Sequence, residues 1–445
     1  MNDQISVDYG IEDWQILSRI GGTATVVIGG EYIPQKENQI YLRVVDENSN
    51  SPVIPWFKAD MLEGSKWKEK IKDIPEGGLY QLETINKTDD TQWIENGIRG
   101  QVVSHFGVGD IFLIAGQSNA SGTGLGIAED APMLGVANFK YCKKWELATH
   151  PLKDRHSPFI SFAKKVYKNT GIPIGICDCA VGGVPISRWL PDQKGDLYNH
   201  MFEIAKTNNI IPKAILFYQG ESDAIDELYL KYEENFSEFV TNIRRDFQDD
   251  SLPIYTFQLN AHLDCRSDWE EHDLHWDTIR EVQRKQADKH RELYVIPTID
   301  IPMSDGIHNS RCGNVILGER LANYVLKNTY KKQLFATAPV LDSVTLTSDT
   351  SICIKYRDIQ SMIMIFHADG KHVPFEVKDD MGNIEIERVT EVKDTIELRL
   401  ARACVGDVLV SCQTGARNKR YIQDLATNIP VLTFLNVKAV RGDLL

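Results

Sequence analysis

The stretch Gly109-Asp110-Ile111-Phe112-Leu113-Ile114-Ala115-Gly116-Gln117-Ser118-Asn119 decides how the rest of the chain is interpreted. Its five consecutive apolar residues, 111–115, are typical of a strand that is buried on both faces of a parallel sheet. The polar cluster after Gly116 then lies at the carboxyl end of the strand, where open α/β sheets bind their ligands. Ser118 follows a glycine that permits a tight bend, so it is a candidate nucleophile. Taken alone, residues 116–119 fit a plain polar turn equally well.

Composition and charge narrow the classes of partner. The 445 residues suggest about three domains, at roughly 150 residues each. Hydrophobic residues make up 42% and charged residues 25% of the chain, which is typical of a globular protein. The net charge of −14 argues against nucleic acid and anionic membranes as partners, but it allows neutral glycans and small anions.

The amino-terminal residues and the cysteines indicate the cellular compartment in which the protein is expected. Met1-Asn2-Asp3-Gln4 does not have the pattern of a signal peptide, and no apolar run reaches about 18 residues. We therefore expect a cytoplasmic protein without a transmembrane helix. The 8 cysteines are scattered except for Cys177-Asp178-Cys179. We expect reduced thiols, with Cys177 and Cys179 packed on one face of a strand.

The predicted elements divide the chain into three parts. Residues 1–107 are predicted to be all β, because β-branched or alternating runs stand between Gly, Asn and Pro. Residues 108–332 alternate between strand and helix, which implies a parallel sheet with helices on both faces. Strands return over residues 338–445, after a linker at 331–338. The predicted fold class is α/β, with a central parallel sheet flanked by two small all-β domains.

The helices and strands of the central part follow from apolar spacing and from glycine and proline positions. Helices are predicted at 157–171, 198–205, 228–247 and 315–326, and further strands at 172–176, 214–218, 253–257 and 293–297.

Polar clusters follow four of the predicted strands, at residues 116–119, 180–189, 219–223 and 304–308. Since the carboxyl ends of neighbouring parallel strands converge, we expect these clusters to meet. In the last cluster, Asp305 and His308 are three residues apart in a tight loop. A carboxylate so placed can accept from the imidazole Nδ1–H and leave Nε2 free to act as a base.

These side chains meet the requirements of acyl transfer. Ser118 would attack the carbonyl, His308 would take and return the proton, and Asp305 would orient the imidazole. The oxyanion needs donors, for which the candidates are the backbone N–H groups of Ser118 and Gly183 and the side-chain amide of Gln219.

The four clusters occur in the order of a known set of motifs. They are Gly116-Gln117-Ser118-Asn119, then Gly182-Gly183 with Trp189, then Gln219-Gly220-Glu221-Ser222-Asp223, then Asp305 with His308. Together they resemble the motif blocks of the SGNH hydrolase superfamily, and more closely its sialate O-acetylesterase branch. That branch is related to the acetylxylan esterases of carbohydrate esterase family six. Stretches around Gly109-Asp110, Trp276 and Gly318-Glu319-Arg320 are similar as well.

The resemblance implies a flavodoxin-like three-layer core and a metal-free serine esterase without a cofactor, which removes O-acetyl groups from sugars. Gln219 would then take the oxyanion role that Asn has elsewhere in the superfamily. Ala120, Pro185, Ser187 and the pair Asn309-Ser310 depart from the usual pattern of the branch. These positions border the acyl or sugar pocket, so they bear on the choice of sugar more than on the reaction.

The candidate substrate contacts are Gln117, Asn119, Arg188 and Glu221. Arg188 suits an anionic sugar such as sialic acid, and a salt bridge that holds its own loop explains it equally well. The rival substrates are acetylated xylan or mannan oligosaccharides. A rival of another class is a carbohydrate-binding protein with a decayed esterase site.

Two other patterns favour structural roles. His272 and His275 share one helical turn, as metal ligands can, but a solvated helix start is the better interpretation. Glu221 and Asp223 are too close in one loop to flank a glycosidic bond, so we expect them to support Gln219.

Overall fold

The computed structural model describes residues 4–88, 93–263, 269–366, 373–417 and 421–442, without the side chains of 269 and 270. Among the described residues of the first part, the regular elements are strands, apart from a 3-10 turn at Ile94–Asn96. These strands are β1 (Ile16–Ser18), β2 (Thr23–Glu31), β3 (Gln39–Asp46), β4 (Ser51–Lys58), β5 (Asp60–Leu62), β6 (Lys66–Pro75), β7 (Gly77–Lys87) and β8 (Ile98–Arg99).

The central part alternates strands and helices. Its elements are β9 (Val103–Gly116), α1 (Ser118–Ser121), β10 (Val136–Lys140), β11 (Lys144–Leu147), α2 (Phe159–Thr170), β12 (Ile174–Asp178), α3 (Asp196–Thr207), β13 (Pro212–Tyr218), α4 (Tyr232–Asp246), β14 (Ile254–Phe257), α5 (Trp269–Lys289), β15 (Leu293–Ile296) and α6 (Arg311–Asn328). Short 3-10 helices at Ile186–Trp189 and Asp226–Lys231 precede α3 and α4.

The carboxyl-terminal part is again made of strands. They are β16 (Val340–Ser348), β17 (Ser351–Arg357), β18 (Ile363–Phe366), β19 (Phe375–Asp379), β20 (Gly382–Ile384), β21 (Ile386–Val392), β22 (Thr395–Leu400), β23 (Leu409–Cys412), β24 (Tyr421–Asp424), β25 (Phe434–Lys438) and β26 (Val440–Arg441). The prediction of a mixed α/β chain is confirmed.

The sheet that carries the candidate nucleophile has the strand order β11-β10-β12-β9-β13-β14-β15. All neighbours in it are parallel except the hairpin β10–β11. β9 is central, because β12 and β13 pair with its two edges. Its residues 111–115 are at most 1% exposed, as expected for an inner strand of a parallel sheet.

β9 also carries the amino-terminal strands. β7 pairs antiparallel with its first half, and β1 pairs parallel with Gly107–Gly109 of the same strand. The boundary expected between residues 107 and 108 therefore falls inside one continuous strand, and both sets of strands share one 12-stranded sheet.

Buried apolar side chains form three clusters, centred on the amino-terminal strands, the central sheet and the carboxyl-terminal strands. The central cluster also takes in Ala416 and Ile429 from the carboxyl-terminal part. Among the helices that the structure describes, none is both long enough and apolar enough to cross a bilayer.

Candidate active site

Ser118 lies at the carboxyl end of β9. The backbone changes direction there, at a point where β9 and β13 are very close together. Gly116 has a φ of 128°, and a Cβ there would lie 2.1 Å from the carbonyl oxygen of Tyr218 in β13. Only glycine combines that backbone conformation with that contact. The chain then enters α1, of which Ser118 is the first residue, and the first N–H groups of a helix have no acceptor within it.

The loop before α6 brings His308 and Asp305 to this serine. His308 Nε2 lies 3.0 Å from Ser118 Oγ, and His308 Nδ1 lies 2.8 Å from Asp305 Oδ2. The other carboxylate oxygen, Oδ1, accepts the backbone N–H groups of Ile307 at 2.9 Å and His308 at 2.7 Å. Burial acts to raise the pKa of Asp305, but these backbone hydrogen bonds and the imidazole together hold that pKa below its usual value. An ionised carboxylate thus faces the imidazole.

The second polar cluster, residues 180–189, is here called the second loop. It borders the serine through its glycines. A Cβ on Gly182 would lie 3.6 Å from Ser118 Cβ, and Gly183 has a φ of 68° with open space around it. The N–H of Val181 donates to the carbonyl of Gly116 at 3.2 Å, which holds this loop against the end of β9. The backbone beside Ser118 is therefore free of side chains on this side.

Gln219 lies beneath the site and is fully buried. Its amide nitrogen lies 3.2 Å from the carbonyl of Val184 and 3.3 Å from Gln117 Oε1, and it also donates to the carboxylate of Asp223. An amide nitrogen has two hydrogens, so in this conformation protein acceptors take both of them. The structure places Gln219 beside Gln117, with its amide hydrogens directed at protein acceptors.

Asn119 and Glu221 connect the serine helix to the histidine loop. Asn119 Nδ2 donates to Glu221 Oε1 at 2.7 Å and to the carbonyl of Ile307 at 3.2 Å. Its Oδ1 accepts the N–H of Asn309 at 3.0 Å. Glu221 is 3% exposed, and burial raises its pKa against the lowering effect of the bond from Asn119. Both side chains were expected as substrate contacts, but they are buried. Their hydrogen bonds form a link, here called the bracket, that holds the loop of His308 in place.

Gln117, in the first polar cluster, makes comparable contacts with the third cluster, residues 219–223, here called the third loop. Its Oε1 accepts the N–H of Ser222 at 3.1 Å as well as the Gln219 amide. Asp223 Oδ2 accepts the N–H of Ile186 at 2.9 Å, and burial raises the pKa of Asp223 to about 6. Asp223 thus ties the third loop to the second.

Arg188 is paired within its own segment. Its Nε donates to Asp196 Oδ1 at 2.9 Å, and its Nη2 contacts the other oxygen of that carboxylate. This ion pair raises the pKa of Arg188. Trp189 beside it is buried against Phe217, with ring centroids 6.4 Å apart. The arrangement corresponds to the salt bridge that was the alternative to a substrate contact.

A network behind the histidine loop was not predicted as part of the site. Asn309 Oδ1 accepts from Asn260 Nδ2 at 2.9 Å. The carbonyl of Asn260 in turn accepts from Trp276 Nε1 at 2.7 Å and from Arg280 Nη2 at 2.8 Å. Arg280 is fully buried, although its sequence context is an ordinary amphipathic helix. The sequence offered two signals of this network, which are the polar Asn309 directly after the histidine and the resemblance around Trp276.

Two groups of described side chains have metal-ligand character, and neither contains a residue of the predicted site. They are Asp130, His150 and His156, and the thiols of Cys142, Cys177 and Cys179. His272 and His275 have aromatic neighbours instead. The ring of His272 lies 5.3 Å from that of Trp276, and that of His275 stacks on Tyr229 at 3.9 Å.

Comparison with known proteins shows what this chain is similar to. Residues 108–327 match the family model described as carbohydrate esterase, sialic acid-specific acetylesterase. The chain is 28% identical, over 251 residues, to a probable carbohydrate esterase of Arabidopsis thaliana, which covers 49% of this chain and 90% of the relative.

A solved structure extends the similarity beyond the matched segment. A carbohydrate acetylesterase from Xanthomonas citri superposes with a TM-score of 0.70 at 21% identity, over 97% of this chain and 99% of that one. The two proteins therefore share a fold over nearly their whole lengths. Residues 108–327 of this chain are therefore similar to the carbohydrate esterase family whose model is described as sialic acid-specific acetylesterase.

Proposed function

We propose that this chain is a serine-dependent carbohydrate O-acetylesterase that works through an acetyl-enzyme intermediate. The observation that carries the proposal is the contact chain from Asp305 through His308 to Ser118, at 2.8 and 3.0 Å. Nucleophile, base and orienting carboxylate are then each within hydrogen-bond reach of the next, as acyl transfer by a serine requires.

In the first half-reaction His308 Nε2 removes the proton from Ser118 Oγ while Oγ attacks the acetyl carbonyl carbon. Asp305 stabilises the imidazolium that forms. The negative charge moves to the carbonyl oxygen, which accepts the backbone N–H groups of Ser118 and Gly183. When the tetrahedral intermediate collapses, the bond to the sugar oxygen breaks and His308 returns the proton to that oxygen.

The second half-reaction repeats these roles with water. His308 takes a proton from the water, whose oxygen attacks the acetyl carbon on Ser118. Collapse releases acetate and returns the proton to Ser118 Oγ. Each oxyanion donor is worth about 100- to 1,000-fold in rate.

Gln219 is the third proposed donor. To reach the oxyanion, its amide has to exchange the contact with Asp223 for one with the substrate oxygen. Burial raises the pKa of the Asp223 carboxyl to about 6, so this exchange becomes easier below about pH 6, where the protonated carboxyl is a weaker acceptor for the amide.

We propose a sialate-like substrate as the finer assignment, on the description of the matched family and on the motif resemblance. Arg188 would contact the sugar carboxylate after leaving Asp196, while Gln117, Asn119 and Glu221 would shape the floor of the pocket. The rival substrates are acetylated xylan and mannan oligosaccharides. The intact contact chain at Ser118 argues against a binding protein with a decayed site.

The proposal can be tested by measuring acetate release by wild type, Ser118→Ala and Ser222→Ala. Substrates are 9-O-acetylated sialic acid, acetylated xylo-oligosaccharides and acetylated manno-oligosaccharides. We expect Ser118→Ala to lower kcat by at least 1,000-fold. Ser222→Ala, a neighbouring serine outside the contact chain, should keep wild-type rates.

The pattern across substrates separates the alternatives. Release from the sialic acid alone supports the sialate assignment. Release from the plant oligosaccharides alone keeps the mechanism and rejects that substrate. Full activity of Ser118→Ala on any substrate would show that the serine mechanism is wrong.

A further inference from the structure

Three cysteine thiols meet behind the second loop, away from the contact chain of the candidate active site. Cys142 comes from the turn between β10 and β11, Cys177 from β12, and Cys179 from the residue after β12 ends. The Sγ–Sγ distances are 3.7 Å between Cys142 and Cys179 and 4.0 Å for each of the other two pairs. Residues 35 and 37 positions apart in sequence therefore form a nearly equilateral triangle of sulfurs.

The size of this triangle matches the coordination distance of a thiolate-bound metal. A point equidistant from the three sulfurs lies about 2.3 Å from each, which is the usual Zn–S bond length. A small displacement of the ion out of the sulfur plane leaves room for a fourth ligand. The three donors are thus already placed as three corners of a metal site.

Cys142 lies in the tight turn of the β10–β11 hairpin, in which both central residues have positive φ, as a type I′ turn requires. Tyr141 and Cys142 have φ values of 52° and 56°. This left-handed region favours Gly, Asn or Asp, and it disfavours a tyrosine followed by a cysteine. The turn directs the Cys142 thiol onto the thiols of Cys177 and Cys179.

The three thiols are also accessible to an ion from solvent. Cys142 is only partly buried, whereas Cys177 and Cys179 are buried, so the triangle can be reached from the side of the turn. Cysteine binds metals as the thiolate.

We propose that Cys142, Cys177 and Cys179 bind one thiophilic cation of the Zn²⁺ class. All three donors are sulfur, which selects soft or borderline ions over Mg²⁺ and Ca²⁺. On binding, each remaining S–H loses its proton to solvent and forms one metal–sulfur bond. The ion would fasten the β10–β11 hairpin to β12 and to the start of the loop that carries Gly183.

The site can be tested on the whole chain with Cd²⁺ and Zn²⁺ as probes. Reduced protein is titrated with Cd²⁺ while the ultraviolet sulfur-to-cadmium charge-transfer absorption is followed. We expect saturation at one ion per chain, with absorption for three thiolates. In Cys142→Ser we expect at least a tenfold loss of affinity and absorption reduced by about a third.

Cys353→Ser is the matched control, since Cys353 is a partly buried thiol in β17 outside the triangle. It should bind like wild type. Because binding to the folded state raises its stability, Zn²⁺ should raise the Tm of wild type and of Cys353→Ser but not that of Cys142→Ser. Circular dichroism without metal confirms that each variant is folded.

Equal Cd²⁺ affinity in wild type and folded Cys142→Ser would overturn the proposal, as would the absence of charge-transfer absorption at one equivalent of Cd²⁺. The esterase assay stands apart from both readouts, because the three thiols do not take part in the proposed reaction. Failure of the metal site and failure of the proposed function can therefore be told apart.

Discussion

Replacing Asp305 with asparagine should abolish turnover while leaving the loop intact. In the structure Asp305 Oδ1 accepts two backbone N–H groups, at 2.9 and 2.7 Å, and Oδ2 faces His308 Nδ1 at 2.8 Å. In Asp305→Asn the carbonyl has to take the first position, since only an oxygen can accept those N–H groups. The amide nitrogen then faces Nδ1 as a donor.

The magnitude follows from that orientation. Two hydrogen bonds of about 1 kcal/mol each favour the amide orientation described by roughly 30-fold. A donor facing Nδ1 forces the proton of neutral imidazole onto Nε2, which then cannot accept the proton of Ser118. In a serine protease the equivalent change lowers kcat by about 10,000-fold, equal to about 5.4 kcal/mol of barrier. We expect a loss of that order here.

The assay is kcat for acetate release, together with the free energy of unfolding in urea. Since both backbone bonds survive, the variant should unfold within about 0.5 kcal/mol of wild type. Asp226→Asn, which removes a carboxylate at the start of the 3-10 helix Asp226–Lys231, is the control for a loss of charge and should keep full activity. If Asp305→Asn keeps more than a tenth of the wild-type kcat, the role assigned to the carboxylate is refuted.

Three further predictions concern the buried support of the site. Gly116→Ala forces a Cβ to within 2.1 Å of the Tyr218 carbonyl, so it should lower the free energy of unfolding by about 3 kcal/mol or more; wild-type stability in urea would contradict this. Asn119→Ala leaves Glu221 without its donor, and it should cost about 2 kcal/mol and lower kcat, whereas unchanged kcat would show that the bracket does not position His308. Burial raises the pKa of Asp223 to about 6, above the unfolded value of about 3.9, so its contribution to stability falls as pH rises from 4 to 6, by up to about 3 kcal/mol. Asp223→Asn should remove that fall, and parallel curves of unfolding free energy against pH for variant and wild type would contradict the assignment.

The fold was predictable where burial shows in local composition. The apolar run at 111–115 predicted the central strand, and the apolar spacing after Ser157 predicted α2, which ends at Thr170 before Gly171 with a φ of 71°. The extension of β9 back to Val103 was not predictable, because residues 103–110 carry no continuous apolar signal. Pairing of β7 and β1 with that extension depends on contacts between distant segments.

In the candidate site, too, local sequence predicted some features, whereas others depend on contacts between distant segments. Ser118, Asp305 and His308 were found because each stands at the end of a predicted strand or in a tight polar loop. The direction of the Gln219 amide depends on Val184 and Asp223, whose positions relative to it only the tertiary structure fixes. The joining of Asn119 to Asn309 spans 190 residues, and no local periodicity reports such a contact.

β9 connects the amino-terminal strands directly to the segment that carries Ser118. At 14 residues it extends for about 46 Å, with β7 on its first half and Ser118 two residues beyond its end. A recombinant fusion that exchanges everything before residue 108 for another domain would sever this strand inside its ladder with β7 and β1. The free energy of unfolding of such a fusion would therefore report how much the ladder of β9 with β7 and β1 stabilises the central sheet.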